Sequence, residues 1–380
     1  MIDTSKRVAF DATLDVFRDQ VRRFLDRHLY PKLDRWETQG IVDREFWRAC
    51  GEAGLLCPTV PEEYGGLGLD FRYNAVIAEE INYSGSTAGV GLQSDVVVDY
   101  IYKYGSETLK RKYLPRMISG ECIVAIAMTE PGAGSDLQSI RTTAQRDGES
   151  YVINGAKTYI TNGQLADAVI VAAKTDPRAG GKGVSLIVVD ADTAGFARGR
   201  KLDKIGHHSA DTSELFFNDV RVPDTNLIGE ENRGFSYLMK QLAQERLAIA
   251  IAAQAVAQRA LDEAVKFTKD RKAFGQPVFE FQNTRFTLAS LAAKVQVGWA
   301  HIDWAILRHT AGKLSAAEAS SAKLWHTELQ WETVDAALQM HGGAGYMNEY
   351  PIARLWRDSR VTRIYGGTSE IMKEIIGRSL

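Results

Sequence analysis

The spacing of apolar residues changes twice along the chain, and this change limits the possible folds more than any other feature. Residues 10–125 show a helical period, with Leu14, Phe17 and Val21 on one predicted helix face. Residues 126–232 show short β-prone runs between polar turns, and helical patterns return from residue 233. We therefore predict an α+β protein with three domains: a helical domain at 1–125, a mainly antiparallel β domain at 126–232 and a second helical domain at 233–380.

Two details sharpen this prediction. The last domain should contain long helices at about 234–270, 280–312 and 317–340, followed by shorter ones. In the middle domain, Asn154-Gly155 lies between the β-prone runs of Tyr151–Thr161, which predicts a hairpin turn. The two helical regions are expected to pack together, with the β domain against them.

The composition excludes several classes of function. The 380 residues include 46 basic and 48 acidic side chains without a basic tail, so we expect no binding to nucleic acid. Cys50, Cys57 and Cys122 lack the spacing of metal ligands and suit a reducing compartment. The first ten residues have no apolar signal core, and the most apolar run, 247–257, is too short to cross a bilayer. These features predict a cytoplasmic protein without a membrane span.

Glu245 interrupts an apolar stripe on the first long C-terminal helix. Two leucines precede it at helical spacing, Leu238 by seven residues and Leu242 by three. Ile249 follows it by four residues and Ala252 by seven, so all four share its helix face. A buried carboxyl without a partner is energetically costly, and burial raises its pKa. Glu245 is therefore a candidate functional acid or base, although pairing with a facing arginine or a backbone group is the structural alternative.

Two segments of the β region suit a ligand. Ala127–Asp136, AMTEPGAGSD, offers backbone N–H groups and hydroxyls at the end of a strand, although a tight turn explains it equally well. It is not a Rossmann fingerprint, because no helix opens there. In Lys157–Gly163, Tyr159 and Thr161 are two residues apart on a predicted strand, so they should face the same side. A cross-strand pair is the simpler explanation for that spacing.

Three further segments near the C-terminus contain glycine or basic residues. Lys269–Pro277 includes Arg271 and Phe274, and it reads either as a helix stop or as a phosphate and base contact. Gln339–Met347 contains three glycines that end a helix; its His341 has no second ligand at metal spacing and is predicted to be structural. Arg363–Met372, RIYGGTSEIM, places two adjacent glycines before a short final helix.

Together these segments resemble the acyl-CoA dehydrogenase family over nearly the whole chain. The similarity includes VPEEYGGLG, AMTEPGAGSD, YITNG, RKAFGQ, QMHGGAGY and IYGGTSE, in the family's order. It implies a helical–β–helical fold that ends in a four-helix bundle, a non-covalent FAD and a homotetramer. It also implies α,β-dehydrogenation of an acyl-CoA thioester, with electrons leaving through an electron-transfer flavoprotein.

The resemblance also implies cofactor contacts. Met128, Thr129 and Thr161 would lie near the isoalloxazine, with Gly134 and Ser135 on the phosphate or CoA side. Tyr159 stands where the family often has tryptophan. Thr368 and Glu370 would complete this pocket. Contacts to the FAD of a neighbouring subunit would come from Arg271, Phe274, Gln282, Gln339, Gly342 and Gly343.

Most family members have their catalytic glutamate where this chain has Gly366. A minority, including the isovaleryl and long-chain enzymes, have it on the first helix of the C-terminal domain, where this chain has Glu245. The missing carboxylate at Gly366 and the unusual carboxylate on an apolar stripe at Glu245 explain each other. LAQERL and IYGGTSEIMKE are most similar to the long-chain type, so we expect Glu245 to be the base.

The resemblance gives each group a role. Glu245 would take the α-proton while the β-hydrogen passes as hydride to flavin N5, and the N–H of Gly366 would bind the thioester oxygen. Arg246 would hold either a neighbouring helix turn or a CoA group. Relatives of this fold that act as flavin oxidases or monooxygenases are one alternative, and a non-catalytic flavin- or acyl-CoA-binding partner is another. The sequence leaves acyl length and branching open.

Overall fold

The first region is helical, as the sequence predicts. The computed structural model describes residues 2–3, 5 and 7–380. Its first helix begins at an Asp11 cap whose side chain accepts hydrogen bonds from the N–H groups of Thr13 and Leu14. A π-helical turn at Leu92–Val97 precedes the fifth helix. The helices of this region are α1 Ala12–His28, α2 Leu33–Gln39, α3 Arg44–Glu52, α4 Phe71–Tyr83, α5 Val98–Tyr104 and α6 Glu107–Ile118.

A single mixed sheet forms the middle region. Its main order is β6-β7-β3-β2-β4-β5-β8, with β1 paired to β4. The β1–β4 pair and one β2–β4 contact are parallel and the other pairs are antiparallel, which agrees with the prediction of a mainly antiparallel region. The strands are β1 Val124–Ala127, β2 Thr143–Asp147, β3 Ser150–Thr161, β4 Ala168–Lys174, β5 Val184–Asp190, β6 Phe196–Lys201, β7 Thr212–Pro223 and β8 Leu227–Ile228.

The predicted hairpin turn at Asn154-Gly155 is wrong, because both residues lie inside the continuous strand β3. The register shifts at Asn154, which marks a β-bulge. The Asn154 side chain donates to Asp219 Oδ1 at 3.0 Å and accepts from the Asp219 N–H at 2.8 Å. A Cβ on Gly155 would lie 2.4 Å from Thr142 Oγ1, so glycine allows the close approach of the chains. The same dipeptide that favours a turn is used here for a bulge.

Three long helices, each near its predicted range, dominate the last region. They are α7 Gly234–Asp270, α8 Gln282–Thr310 and α9 Ala316–His341, and they enclose a core rich in alanine and leucine. Two shorter helices, α10 Pro351–Ser359 and α11 Ser369–Gly377, pack against α9. The helical–β–helical fold that the sequence predicts is confirmed.

The two helical regions pack together, mainly through α4 and α7. Arg7 joins them directly, because its guanidinium bonds to Glu79 on α4 at 2.8 Å and to Asp303 on α8 at 2.6 Å. Tyr100 on α5 also reaches α7, where its hydroxyl donates to Glu245. This packing places the middle of α7 against the N-terminal helices, and the candidate site lies there.

Candidate active site

Glu245 lies in the middle of α7 and is 6% exposed. Its Oε1 accepts a hydrogen bond of 2.7 Å from the Tyr100 hydroxyl. Burial raises the pKa of Glu245 to about 7; Asp99 acts in the same direction, while Tyr100 and the Arg246 charge oppose the rise. At neutral pH this carboxyl therefore exchanges protons readily, as a general base must.

The loop that contains Gly366 and Gly367 lies against the same helix, one turn beyond Glu245. Both glycines have left-handed backbones, with φ of +64° and +95°. A Cβ on Gly366 would lie 2.4 Å from Cδ1 of Ile249. Sterics and backbone conformation thus both favour glycine at this position. Thr368 follows as the N-cap of α11, where its hydroxyl accepts from the Ile371 N–H, and Glu370 is exposed in the first turn.

Two buried cations lie behind this loop. Arg246 donates to Ser320 Oγ at 3.2 Å, and its Nε has no partner. Lys323, on α9 and 1% exposed, donates to the carbonyl oxygen of Gly367. Burial, and to a smaller extent the Arg246 charge, lowers the pKa of Lys323 to about 8. Among the described residues, neither cation has a carboxylate within 4 Å.

The glycine-rich loop after β1 is tied to β3 by hydrogen bonds. Glu130 is buried and pairs with Lys157 at 2.8 Å, and the same Lys157 Nζ donates to the Met128 carbonyl at 2.9 Å. The Thr158 N–H donates to the Thr129 carbonyl at 3.0 Å. Glu130 and Lys157 are therefore structural, and they bring two of the predicted segments side by side.

The positions of these two segments that are predicted to contact FAD are at least partly accessible. Met128, Thr129 and Thr161 are half-buried, whereas Gly134 and Ser135 are exposed. A Cβ on Gly134 would have no atom within 4 Å. Tyr159 is 68% exposed and has φ of +59° beside a bulge in β3. The backbone of Tyr159 is not extended, so the alternation of side chains along a strand does not predict which face of the sheet Tyr159 lies on. Tyr159 and Thr161 are nevertheless both more exposed than Ile160 between them.

A second set of predicted contacts lies far from Glu245. Arg271 follows the end of α7, 26 residues after Glu245, or about 40 Å along the helix axis. Within one chain this set is not brought to Glu245. Its members are all exposed: Arg271, Phe274 (96% exposed), Gln282, Gln339, Gly342 and Gly343.

The arrangement fits FAD. One surface, on the loop after β1 and on β3, offers threonine hydroxyls, an exposed aromatic ring and open glycine backbones, which suit a flat heterocycle and its polar edge. The other surface offers an arginine fork and exposed glycines, which suit phosphate groups. His341 is buried and bonds to the Ala337 carbonyl at 2.7 Å, as expected for a structural histidine. Residues 2–3, 5 and 7–380 contain no group of three or more His, Cys, Asp or Glu side chains that could hold a metal.

Sequence reasoning missed Tyr100 and Lys323. Neither stands in a glycine-rich segment or breaks an apolar stripe, so only the packing of α5 and α9 against α7 reveals them. The polar side chains of residues 93–95 and Asp99, whose direction the sequence leaves open, are all buried. Gln93 is structural, because it bonds to the backbone at Met117 and Val124.

Comparisons with known proteins agree with this geometry. Three family models match the chain: the acyl-CoA dehydrogenase N-terminal domain at residues 11–121, the middle domain at 125–220 and the C-terminal domain at 232–380. The chain is 46% identical over its full length to the mitochondrial long-chain specific acyl-CoA dehydrogenase of Sus scrofa, covering 89% of that protein.

Two solved structures extend the comparison. An acyl-CoA dehydrogenase from Geobacillus kaustophilus is 50% identical, with a TM-score of 0.97 over 98% of this chain and 99% of that one. A glutaryl-CoA dehydrogenase from Mycobacterium smegmatis, solved in complex with FADH2, is 28% identical, with a TM-score of 0.91 over 98% of this chain and 95% of that one. In the described part of the present chain, no helix is long and apolar enough to cross a membrane.

Proposed function

The chain belongs to the acyl-CoA dehydrogenase family of FAD-dependent oxidoreductases, and we propose that it oxidises long, straight acyl-CoA thioesters with Glu245 as the base. The observation that supports this assignment is the pairing of Glu245 with a glycine loop. Glu245 is a buried carboxyl with a raised pKa, and Gly366 beside it has no side chain to compete for the α-proton.

The reaction follows from these groups. The Glu245 carboxylate takes the proton from the α-carbon, and the electron pair of that C–H bond moves toward the thioester carbonyl. The Gly366 N–H donates a hydrogen bond to the oxygen as its negative charge grows. Bound FAD, held near Met128, Thr129 and Thr161, would supply the acceptor for the β-hydrogen and its electron pair, which leaves the trans-2-enoyl-CoA. Because α7 packs against α4 and α5 and Glu245 is buried there, we expect little water to reach the enolate.

Similarity to a long-chain specific acyl-CoA dehydrogenase, together with the small apolar side chains that follow Glu245 on its face of α7, supports a long acyl chain. Ala252 and Val256 on this face also line a cavity with Leu355, Tyr365 and polar side chains such as His207, Gln330 and Asp358; its volume of about 40 Å³ is too small to hold an acyl chain. Ala252 and Val256 follow Glu245 by 7 and 11 residues, or about 10 and 16 Å along the helix. With bonds of ~1.5 Å, an extended acyl chain of about 10 to 14 carbons spans this distance.

We expect the rate of anaerobic flavin reduction to be highest for straight acyl-CoAs of about 10 to 14 carbons. The readout is loss of the oxidised flavin absorbance after mixing with a panel of straight and branched thioesters. Replacing Ala252 with leucine adds volume about 10 Å along α7 from Glu245 and should shift the preference to shorter chains, because the chain end then meets the added side chain. Ala243→Leu, nine residues before Ala252 and therefore on the opposite face of α7, is the control. A branched five-carbon optimum, or no effect of Ala252→Leu, contradicts the chain-length assignment.

We further propose that the protein is a homotetramer that passes electrons to an electron-transfer flavoprotein. The exposed positions of Arg271, Phe274 and Gln282, remote from Glu245, support an FAD shared between subunits. An exposed apolar face on α8, with Phe286, Val297, Trp304 and Leu307, supports assembly. The exposed ring of Tyr159, in the segment proposed to contact the isoalloxazine, supports electron exit at this surface.

The rate of flavin reduction should increase as the pH rises through about 7, because Glu245 must be ionised to accept the proton. Since the Tyr100 hydrogen bond lowers the pKa of Glu245, Tyr100→Phe should move this rise to higher pH. Asp99 and Arg246, the charged groups that also act on this pKa, remain in place in the variant. The measurement is the reduction rate against pH, with Tyr104→Phe as a control that does not contact Glu245. If the pH dependence of the reduction rate is unchanged in Tyr100→Phe, Tyr100 does not set the pKa of Glu245.

The same experiments separate the alternatives. Rapid oxygen consumption without an acceptor protein favours the oxidase or monooxygenase. Bound FAD that no acyl-CoA reduces favours the non-catalytic partner protein.

A further inference from the structure

Arg246 and Lys323 present an electrostatic problem that the proposed reaction does not address. Both are at least 95% buried, both approach the Gly366–Gly367 loop, and neither has a carboxylate within 4 Å among the described residues. Burying one such charge without a partner is unfavourable, and two neighbouring like charges make it worse. A neutral donor on α9 could bond to the Gly367 carbonyl equally well, so the hydrogen bond does not account for the charge.

The position of the charges relative to the loop is specific. Lys323 Cε lies 3.6 Å from the place that a Cβ on Gly366 would occupy, and Arg246 Nη2 lies 3.9 Å from the corresponding place on Gly367. The positive groups therefore flank the two residues that would face the thioester oxygen. Glu245, on the neighbouring position of α7, is the negative group that acts on Arg246.

We propose that Lys323, together with Arg246, is a positioning pair whose positive charge favours the enolate through the Gly366–Gly367 loop. This inference rests on the proposed function, because it assumes that the thioester oxygen binds at Gly366. The charges do not touch the substrate. They hold the loop, and their field stabilises negative charge that develops on the oxygen in a site of low dielectric. The ground-state thioester is neutral, so the pair acts mainly on the chemical step.

The direct test uses a 3-oxoacyl-CoA, which loses the proton between its two carbonyls and forms an enolate without any redox step. Its pKa when bound to oxidised holoenzyme is read from the enolate absorbance, in a Glu245→Gln background so that the base does not titrate. We expect Lys323→Met to raise this pKa by about 1 to 2 units. The titration stays below the pKa of Lys323, about 8, where Arg246 and Lys323 are both charged in the parent protein.

Two further variants separate charge from hydrogen bonding. Lys323→Gln keeps a donor for the Gly367 carbonyl but removes the charge, so it should raise the enolate pKa as Lys323→Met does, whereas Lys323→Arg should stay near the parent value. In the Glu245 enzyme, both neutral variants should slow flavin reduction by ~10²-fold without weakening acyl-CoA binding. Thr327→Val, one turn further along α9 and equally buried, is the control for disturbance of the helix.

An enolate pKa that stays at the parent value in Lys323→Gln overturns the proposal, because hydrogen bonding alone then explains Lys323. Equal pKa values in all variants overturn it as well. The two failures are distinguishable, because the enolate titration involves no redox step, whereas the proposed dehydrogenation fails if no acyl-CoA reduces the flavin of the unaltered protein.

Discussion

Replacing Glu245 with glutamine is expected to slow flavin reduction by a long-chain acyl-CoA by ~10²–10⁴-fold, the usual contribution of one positioned base. Glutamine has the same shape, and its amide oxygen can still accept the 2.7 Å hydrogen bond from Tyr100. The helix and the pocket should therefore remain, and only the capacity to take the α-proton is lost. The measurement is the anaerobic loss of oxidised flavin absorbance at saturating substrate.

A matched control lies on the same helix. Glu263, two turns before the end of α7, pairs with Arg259 and is remote from the loop, so Glu263→Gln should reduce flavin at the parent rate. Binding of acyl-CoA to Glu245→Gln, followed as a perturbation of the flavin spectrum, should be retained. If Glu245→Gln and the parent bleach at the same rate, another residue is the base and the significance of Gly366 must be reconsidered.

Adding a single methyl group at Gly366 is expected to be nearly as damaging. In Gly366→Ala the new Cβ would lie 2.4 Å from Ile249 Cδ1, and φ of +64° disfavours any residue with a Cβ. The loop has to move, and the N–H that would bind the thioester oxygen moves with it. Loss of one such donor lowers the rate by ~10²–10³-fold, which is the expected decrease in flavin reduction.

A second substitution tests the cause. Ile249→Val removes Cδ1, and the next nearest atom of that side chain, Cγ1, would lie 3.9 Å from the new Cβ, an ordinary contact. The Gly366→Ala, Ile249→Val double variant should therefore recover part of the lost rate. Gly148→Ala, in the β2–β3 turn at φ of +61° with no atom near the added Cβ, shows the effect of backbone strain without a clash. If the double variant is no faster than Gly366→Ala, the clash with Ile249 is not the cause.

The sequence reveals some of the features behind these predictions directly and others only through a resemblance. The long helices could be predicted because their apolar residues recur at one period over seven or more turns, which few other structures tolerate. The burial of Glu245 could be predicted for the same reason, since its neighbours on the helix face are apolar. The prediction that Glu245 takes the place of the carboxylate usually found at the Gly366 position came from the resemblance to a family.

Short-range signals were less reliable in the β region. Asn154-Gly155 is as compatible with a bulge as with a turn, because both need a residue that tolerates unusual backbone angles. A bulge forms here because β3 pairs with β7 and because Gly155 lies close to Thr142, and neither contact is local in the sequence. For the same reason the side on which Tyr159 lies could not be derived from strand alternation.

The sequence by itself determined the order of helical and β regions, the place of the glycine loops and the presence of a carboxyl on a buried helix face. These properties depend on residues within a few turns of one another. Only the tertiary structure decided that Tyr100 bonds to Glu245, that Ile249 leaves no room for a side chain at Gly366, and that Lys323 reaches Gly367. Each of these contacts joins residues on different elements, and their distance is set by how α5, α7 and α9 pack, which no local pattern encodes.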